Sequence, residues 1–363
     1  MLPELCWSCP NHDLPRRAVQ EPTTLLSTTS RNPCKSGANL GRFVRKPPSR
    51  SSDDRSPRTR QVRASALSAR LALARLEAGL ARNEWSGPVS SVRVENDLVY
   101  AAVDGARLAL DLYHAPRYDA PLVLYVHGGG WRNGDKADDR VRRLIPMAER
   151  GVTVASADYR LLPGAVFPDQ LHDLKAAVRW LRAHGADLGV ATGRVGVWGA
   201  SAGAYLGSLL ALTPGDPALE GTVGGHLDRS SAVQAVVHWF GPSDLLTAGT
   251  RSQVEGRLLP FAFEADLLGV PSVTDAADRA RELSLLTRVS AQAPPFLIAH
   301  GDRDRIVAPS EGAALHHALS RAGASSRFEL LGGAGHEDAA FDSPVSLALT
   351  AAWLRAVLLP DTP

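Results

Sequence analysis

Gly199-Ala200-Ser201-Ala202-Gly203 is a G-x-S-x-G pentapeptide. An apolar run, Val195-Gly196-Val197-Trp198, precedes it and reads as a buried strand. The stretch Ala204 to Leu212 follows and reads as a helix. A strand–turn–helix of this kind holds a serine at the apex of a sharp turn, where only small flanking residues fit. Its hydroxyl then stands in the open at a helix N-terminus, where N–H groups and the helix dipole favour developing negative charge. A plain Gly/Ser-rich connecting loop shares the pentapeptide but not those flanks.

A serine hydroxyl is a poor nucleophile at neutral pH. It needs a base to take its proton, an acid to orient that base, and donors for the oxyanion. His336 in Gly332-Gly333-Ala334-Gly335-His336 follows the last apolar strand and fits the base. The other histidines read as structural: His184 ends a helix, His316 and His317 fall on a surface helix, and His300 shapes a turn beside Gly301. For the acid, His300-Gly301-Asp302-Arg303-Asp304 offers two carboxylates. Asp304 lies further into the loop and is preferred. Asp302 fits a turn cap or a partner for a neighbouring arginine. The oxyanion donors are expected from Ala202, directly after the nucleophile, and from the run Gly128-Gly129-Gly130, where missing side chains let backbone approach a substrate. That run does not open into G-x-G-x-x-G, so it does not read as a nucleotide loop.

These groups must be carried by regular elements. Residues 89–114 read as a β-hairpin turning at Asp104-Gly105. Pro121 to Val126 is a continuous apolar run that suits a strand buried on both faces, and it feeds into His127-Gly128-Gly129-Gly130-Trp131. Strands are then expected at 152–157, 195–198, 232–240, 295–300 and 327–331. Helices are expected at 138–150, from Pro168, at 204–212, at 310–322 and at 344–358. That alternation predicts an α/β chain with a mainly parallel, doubly covered sheet. The long segment 245–293 breaks the rhythm and reads as a small cap over the site. Trp131, Phe261 and Phe263 suit either an apolar pocket or core packing.

Composition narrows the class. The chain has 363 residues, 44% of them hydrophobic, and a net charge of +2, which argues against a dedicated nucleic-acid binder. Residues 1–63 carry a net +7 and are rich in Pro, Ser, Thr and Arg, so they read as a disordered basic tail. Residues 64–88 read as an amphipathic helix and linker, and the hydrolase-like domain as 89–363. Cys6, Cys9 and Cys34 all fall in the tail, and the lone C-x-x-C there is weak support for a metal. No cofactor and no metal are expected. No apolar stretch is long enough to span a bilayer and no apolar segment follows Met1, so the expectation is a cytoplasmic enzyme. Oligomeric state is not readable.

Taken together, HGGGW at 127–131, DYRL at 158–161, GASAG at 199–203, GPSDL at 241–245, HGDRDRIV at 300–307 and GAGH at 333–336 resemble the α/β-hydrolase fold. More narrowly, they resemble bacterial carboxylesterases of the hormone-sensitive-lipase-like and feruloyl-esterase-like (BD-FAE type) group, over about residues 89–358. The family pattern H-G-x-x-D-x-x-V implies that Asp304 is the acid, and the HGGG loop implies Gly129 and Gly130 as oxyanion donors. His238 stands where similar enzymes often carry an acidic residue. The resemblance implies a serine hydrolase that cleaves small carboxylic esters through an acyl-enzyme intermediate. An arylformamidase-type amidase and a non-catalytic hydrolase-fold receptor are the alternatives.

Overall fold

The computed structural model describes residues 92–103, 105–249 and 262–359. The expectations for residues 1–88, including the three cysteines, and for Phe261 lie outside the described residues. Eight strands form one sheet in the order β1-β2-β4-β3-β5-β6-β7-β8. β1 (Arg93–Val103) and β2 (Ala106–His114) make the antiparallel hairpin, and β2 then pairs antiparallel with β4 (Thr153–Ala157). β3 (Leu122–Val126), β5 (Val195–Ala200), β6 (Ala235–Trp239), β7 (Phe296–Gly301) and β8 (Ser326–Leu331) continue in parallel register. A parallel sheet needs cover on both faces, and the central strands accordingly show no polar alternation. Every residue of β3, β4, β5, β6 and β7 is buried. This is the α/β-hydrolase fold that the motifs imply.

Helices cover the two faces. The stretch after the glycine run turns through a π-helical segment, Arg140–Leu144, into α1 (Ile145–Glu149). α2 (Asp169–His184) presents Leu171, Leu174, Val178 and Leu181 to the sheet at helical spacing. α3 (Ala202–Leu212) follows the pentapeptide, and the one-turn α4 (Pro217–Glu220) precedes β6. One face of the sheet gathers Leu124, Val197, Leu206 and Ile298. The other gathers Tyr125, Trp198, Trp239 and Leu354. Each fully buried side chain of this size contributes about 1.5–3 kcal/mol.

Between β6 and β7 lie α5 (Leu245–Gly249), α6 (Phe263–Leu268), a 3₁₀ turn at Val273–Ala276, α7 (Ala277–Glu282) and α8 (Leu285–Arg288). These short helices are fastened to the sheet's C-terminal end. Tyr205 Oη donates to Leu283 O at 3.0 Å, Phe167 N to Leu267 O at 3.0 Å, and Arg132 pairs with Asp266 at 2.7 Å. α9 (Pro309–Ala322) and α10 (Pro344–Leu358) finish the covering layers, each started by a proline in its first turn.

Candidate active site

The site is set at the end of β5. Ser201 adopts φ +53°, ψ −121°, a conformation that costs a non-glycine residue about 1–3 kcal/mol and persists only where its surroundings enforce it. They do so through small residues. A Cβ on Gly203 would fall 2.1 Å from Val126 O and 2.4 Å from His127 O, and one on Gly199 would fall 2.3 Å from Gly203 O. Two backbone turns therefore touch with no side chain between them. Ser201 N is also tied to the neighbouring strand, donating to Trp239 O at 2.9 Å.

The loops after β7 and β8 bring the other two groups to the serine. His336 Nε2 lies 2.9 Å from Ser201 Oγ, and His336 Nδ1 lies 2.8 Å from Asp304 Oδ2. A carboxylate only accepts, so Nδ1 carries the proton and Nε2 presents a lone pair to the serine hydroxyl. The two loops are stitched together by backbone. Arg303 N donates to Ala334 O at 2.9 Å, and Asp302 Oδ1 accepts from Gly333 N at 2.7 Å. Asp302 thus holds the glycine loop that precedes His336 and does not reach the imidazole itself.

Asp304 is buried. Burial pushes its carboxyl up, but hydrogen bonds from His300, from His336 and from Val307 N outweigh it and hold it well below the usual carboxylate range. Oδ1 accepts from the N–H groups of Ile306 and Val307, each at 2.9 Å. In the sequence, His300 reads only as shaping a turn. Its Nε2 lies 3.3 Å from Asp304 Oδ2 as well as 3.0 Å from Val307 O. The sequence signal was the i, i+4 spacing of His300 and Asp304 across a tight turn.

Above the serine, Gly129 and Gly130 take φ +102° and +61°. A Cβ on Gly129 would stand 2.2 Å from Asn133 O, and one on Gly130 would stand 2.5 Å from the Phe263 ring. Among the described residues, the N–H groups of Gly129, Gly130 and Ala202 donate to no protein acceptor. The loop is held from outside. Trp131 Nε1 donates to Ala202 O at 3.1 Å, Tyr159 Oη donates to His127 O at 3.1 Å, and the His127 and Tyr159 rings stack at 4.4 Å. Trp131 is buried against Tyr205. Phe263, from the segment read as a cap, covers Gly130 directly.

His238 bonds to Ser208 and Gly241, not to Ser201, His336 or Asp304. It is buried beneath α3, with Nδ1 2.8 Å from Ser208 Oγ and Nε2 3.0 Å from Gly241 O. Burial pulls it down to about 4, the partial help of the Gly241 carbonyl notwithstanding.

The family model for BD-FAE matches residues 110–319. This chain belongs to the BD-FAE family. The matched stretch starts in β2 and ends in α9, so it holds Ser201, Asp304 and the glycine loop. Among relatives, the esterase LipQ of Mycobacterium tuberculosis is 32% identical over 212 residues, covering 58% of this chain and 48% of that protein. The esterase LipC of the same organism is 32% identical over 229 residues, covering 61% and 54%. The chain therefore spans about half the length of the curated relatives it matches. A thermophilic esterase of Thermogutta terrifontis, Est2, solved with propionate bound, superposes with a TM-score of 0.59 at 25% identity. That match covers 77% of this chain and all of that one. Among the described residues of this BD-FAE member, no helix is long and apolar enough to cross a membrane.

Proposed function

We propose that this protein hydrolyses carboxylic esters of small molecules through an acyl-enzyme intermediate, with Ser201 as nucleophile, His336 as base and Asp304 as the acid that orients it. The observation that carries the reading is the continuous chain Asp304 Oδ2–His336–Ser201 Oγ, with contacts of 2.8 and 2.9 Å. The esterase names of LipQ, LipC and Est2 support the same reaction class.

The geometry supports the following steps. Ser201 Oγ attacks the ester carbonyl carbon as its proton passes to His336 Nε2. The imidazolium that forms is stabilised by Asp304, whose carboxylate stays ionised because its donors keep it so. Negative charge moves onto the carbonyl oxygen, where the N–H groups of Gly129, Gly130 and Ala202 receive it. His336 then returns the proton to the leaving alkoxide, and the alcohol departs. Water enters, loses a proton to His336, attacks the acyl carbon and releases the acid with Ser201 restored.

The test compares hydrolysis of p-nitrophenyl acetate and butyrate by the full chain and by Ser201→Ala. Loss of the nucleophile is expected to lower kcat by about a million-fold, and a fluorophosphonate probe is expected to label only the parent protein. Equal rates in the two proteins would overturn the assignment.

A further inference from the structure

One carboxylate at the site takes no part in these steps. Glu337 directly follows His336 and adopts φ +51°, a left-handed conformation that a side chain larger than glycine rarely takes without a reason. That backbone sets the side chain against the glycine loop. A Cβ on Gly128 would stand 3.2 Å from Glu337 Oε1 and 3.4 Å from Ser201 Cβ, so the carboxylate and the nucleophile flank the same point. The Glu337 side chain is also 38% exposed, open to whatever enters.

The charges behind it do not cancel it. Arg142 pairs with Asp139 at 2.5 Å and Asp342 at 3.6 Å, and reaches Glu337 only at 4.0 Å. Arg143 pairs with Asp139 at 3.2 Å and Asp342 at 2.6 Å. Two guanidiniums therefore face three carboxylates. Asp139 and Asp342 are buried or nearly so and take the short contacts. The uncompensated negative charge is left on Glu337, the member of the cluster that faces solvent beside Ser201.

We propose that Glu337 is a specificity-determining residue that favours esters whose alcohol portion carries a positive charge and disfavours those whose alcohol portion is anionic. The proposal rests on the ester-hydrolase reading above. The alcohol side is assigned because His336 hands its proton to the departing alkoxide, and Glu337 is the next residue along the chain. A partly solvated carboxylate several ångströms from a ligand charge changes its relative rate by about three- to tenfold.

The test uses the full chain and two acetate esters of nearly the same shape, acetylcholine and the neutral 3,3-dimethylbutyl acetate. The quantity read is the ratio of their kcat/KM values within each protein. The parent protein is expected to favour acetylcholine by about three- to tenfold, and high salt is expected to shrink that preference. Glu337→Gln is expected to bring the ratio close to one and Glu337→Lys to invert it. A parent protein that cleaves both esters with a ratio near one and no salt dependence overturns the role of Glu337 and leaves the esterase reading standing. So does a ratio that survives in Glu337→Gln. A parent protein no faster than Ser201→Ala on these two esters but faster on p-nitrophenyl acetate overturns the role of Glu337 alone, and one no faster on p-nitrophenyl acetate either overturns the esterase reading and this proposal with it.

Discussion

His300 Nε2 stands 3.3 Å from Asp304 Oδ2, the same oxygen that His336 Nδ1 approaches at 2.8 Å. One carboxylate oxygen is thus held between two imidazoles, one open to the serine and one sealed in the core. The Val307 carbonyl, 3.0 Å away, can only accept, so it keeps the proton on His300 Nε2 pointed at this corner. That single proton is shared between the Val307 carbonyl at 3.0 Å and the Asp304 oxygen at 3.3 Å, and a shared contact of this kind is worth about 0.5–1.5 kcal/mol. His300→Ala is therefore expected to lower kcat/KM about two- to tenfold, and His300→Gln, which keeps a donor, to recover much of it. Acid stability adds a readout that mere packing would not give. Asp304 is held below its unfolded value, so its stabilisation is present above about pH 4 and is lost as pH falls toward the lower folded value. Removing a donor raises the folded value, so the acid-unfolding midpoint of His300→Ala should move to higher pH than that of His300→Gln. Steady-state kinetics and acid titration followed by circular dichroism check both.

Arg143 is fully buried between the Asp139 and Asp342 carboxylates, hydrogen-bonded to Tyr125 and stacked at 5.5 Å over the Trp239 ring. Tyr125 in turn donates to Asp139. Asp342 lies on the same loop as His336, between β8 and α10, so this cluster pins that loop to the π-helical segment after the glycine run. Removing one member of a buried ion network strands the others and costs about 3–5 kcal/mol. Arg143→Met is expected to lose that much in urea unfolding. Arg143→Met combined with Asp342→Asn should lose less than the two single changes added together, because the stranded carboxylate is gone. Strict additivity would show that the network is not a unit.

The central features of the site are legible in the sequence because they are local. The elbow needs only five residues and its two apolar flanks, the chain order then points to His336 and to Asp302 or Asp304, and the family resemblance chooses Asp304. What stays hidden depends on distance along the chain. Arg143 sits in a run of charge, Asp138-Asp139-Arg140-Val141-Arg142-Arg143, at the start of the helix expected over 138–150. Its partner Asp342 comes about two hundred residues later, and only the folded chain brings them together. The helix expected at 138–150 is instead π-helical over Arg140–Leu144 before α1 begins at Ile145. The contact of His300 with Asp304 depends on how one turn folds back, and the left-handed Glu337 depends on how His336 is approached. The first leaves only the i, i+4 spacing of His300 and Asp304 as its mark, and the second leaves none.

Close packing at the elbow separates two glycines of α3. A Cβ at position 203 would meet backbone, Val126 O at 2.1 Å, and backbone cannot step aside without moving β3. A Cβ at position 207 would meet one methyl of Val197, Cγ2, at 2.8 Å, with the next atom 3.7 Å away, so a small shift of that one side chain relieves the contact. Gly207→Ala is expected to cost about 1–3 kcal/mol, an ordinary overpacking penalty. Gly203→Ala is expected to cost more than about 4 kcal/mol or to prevent folding outright. Thermal melts of the two variants decide it, and similar melting temperatures would contradict this account of the turn.

His238 sets a pH window for stability. Its folded value is about 4, depressed mainly by burial, while an unfolded histidine titrates near 6.5. Between those values the unfolded chain binds a proton that the folded chain refuses, so unfolding is favoured as pH falls. The contribution is fully present above about pH 6.5 and is lost as pH drops toward 4, a change of about 3 kcal/mol. His127 is also buried and depressed, so the parent protein keeps part of this slope from that site. His238→Gln can still bond Ser208 and Gly241 but cannot take up the proton. Urea midpoints measured at intervals from pH 7.5 to 4.5 should therefore fall less steeply in His238→Gln than in the parent protein. Parallel curves would mean that the proton is taken up elsewhere.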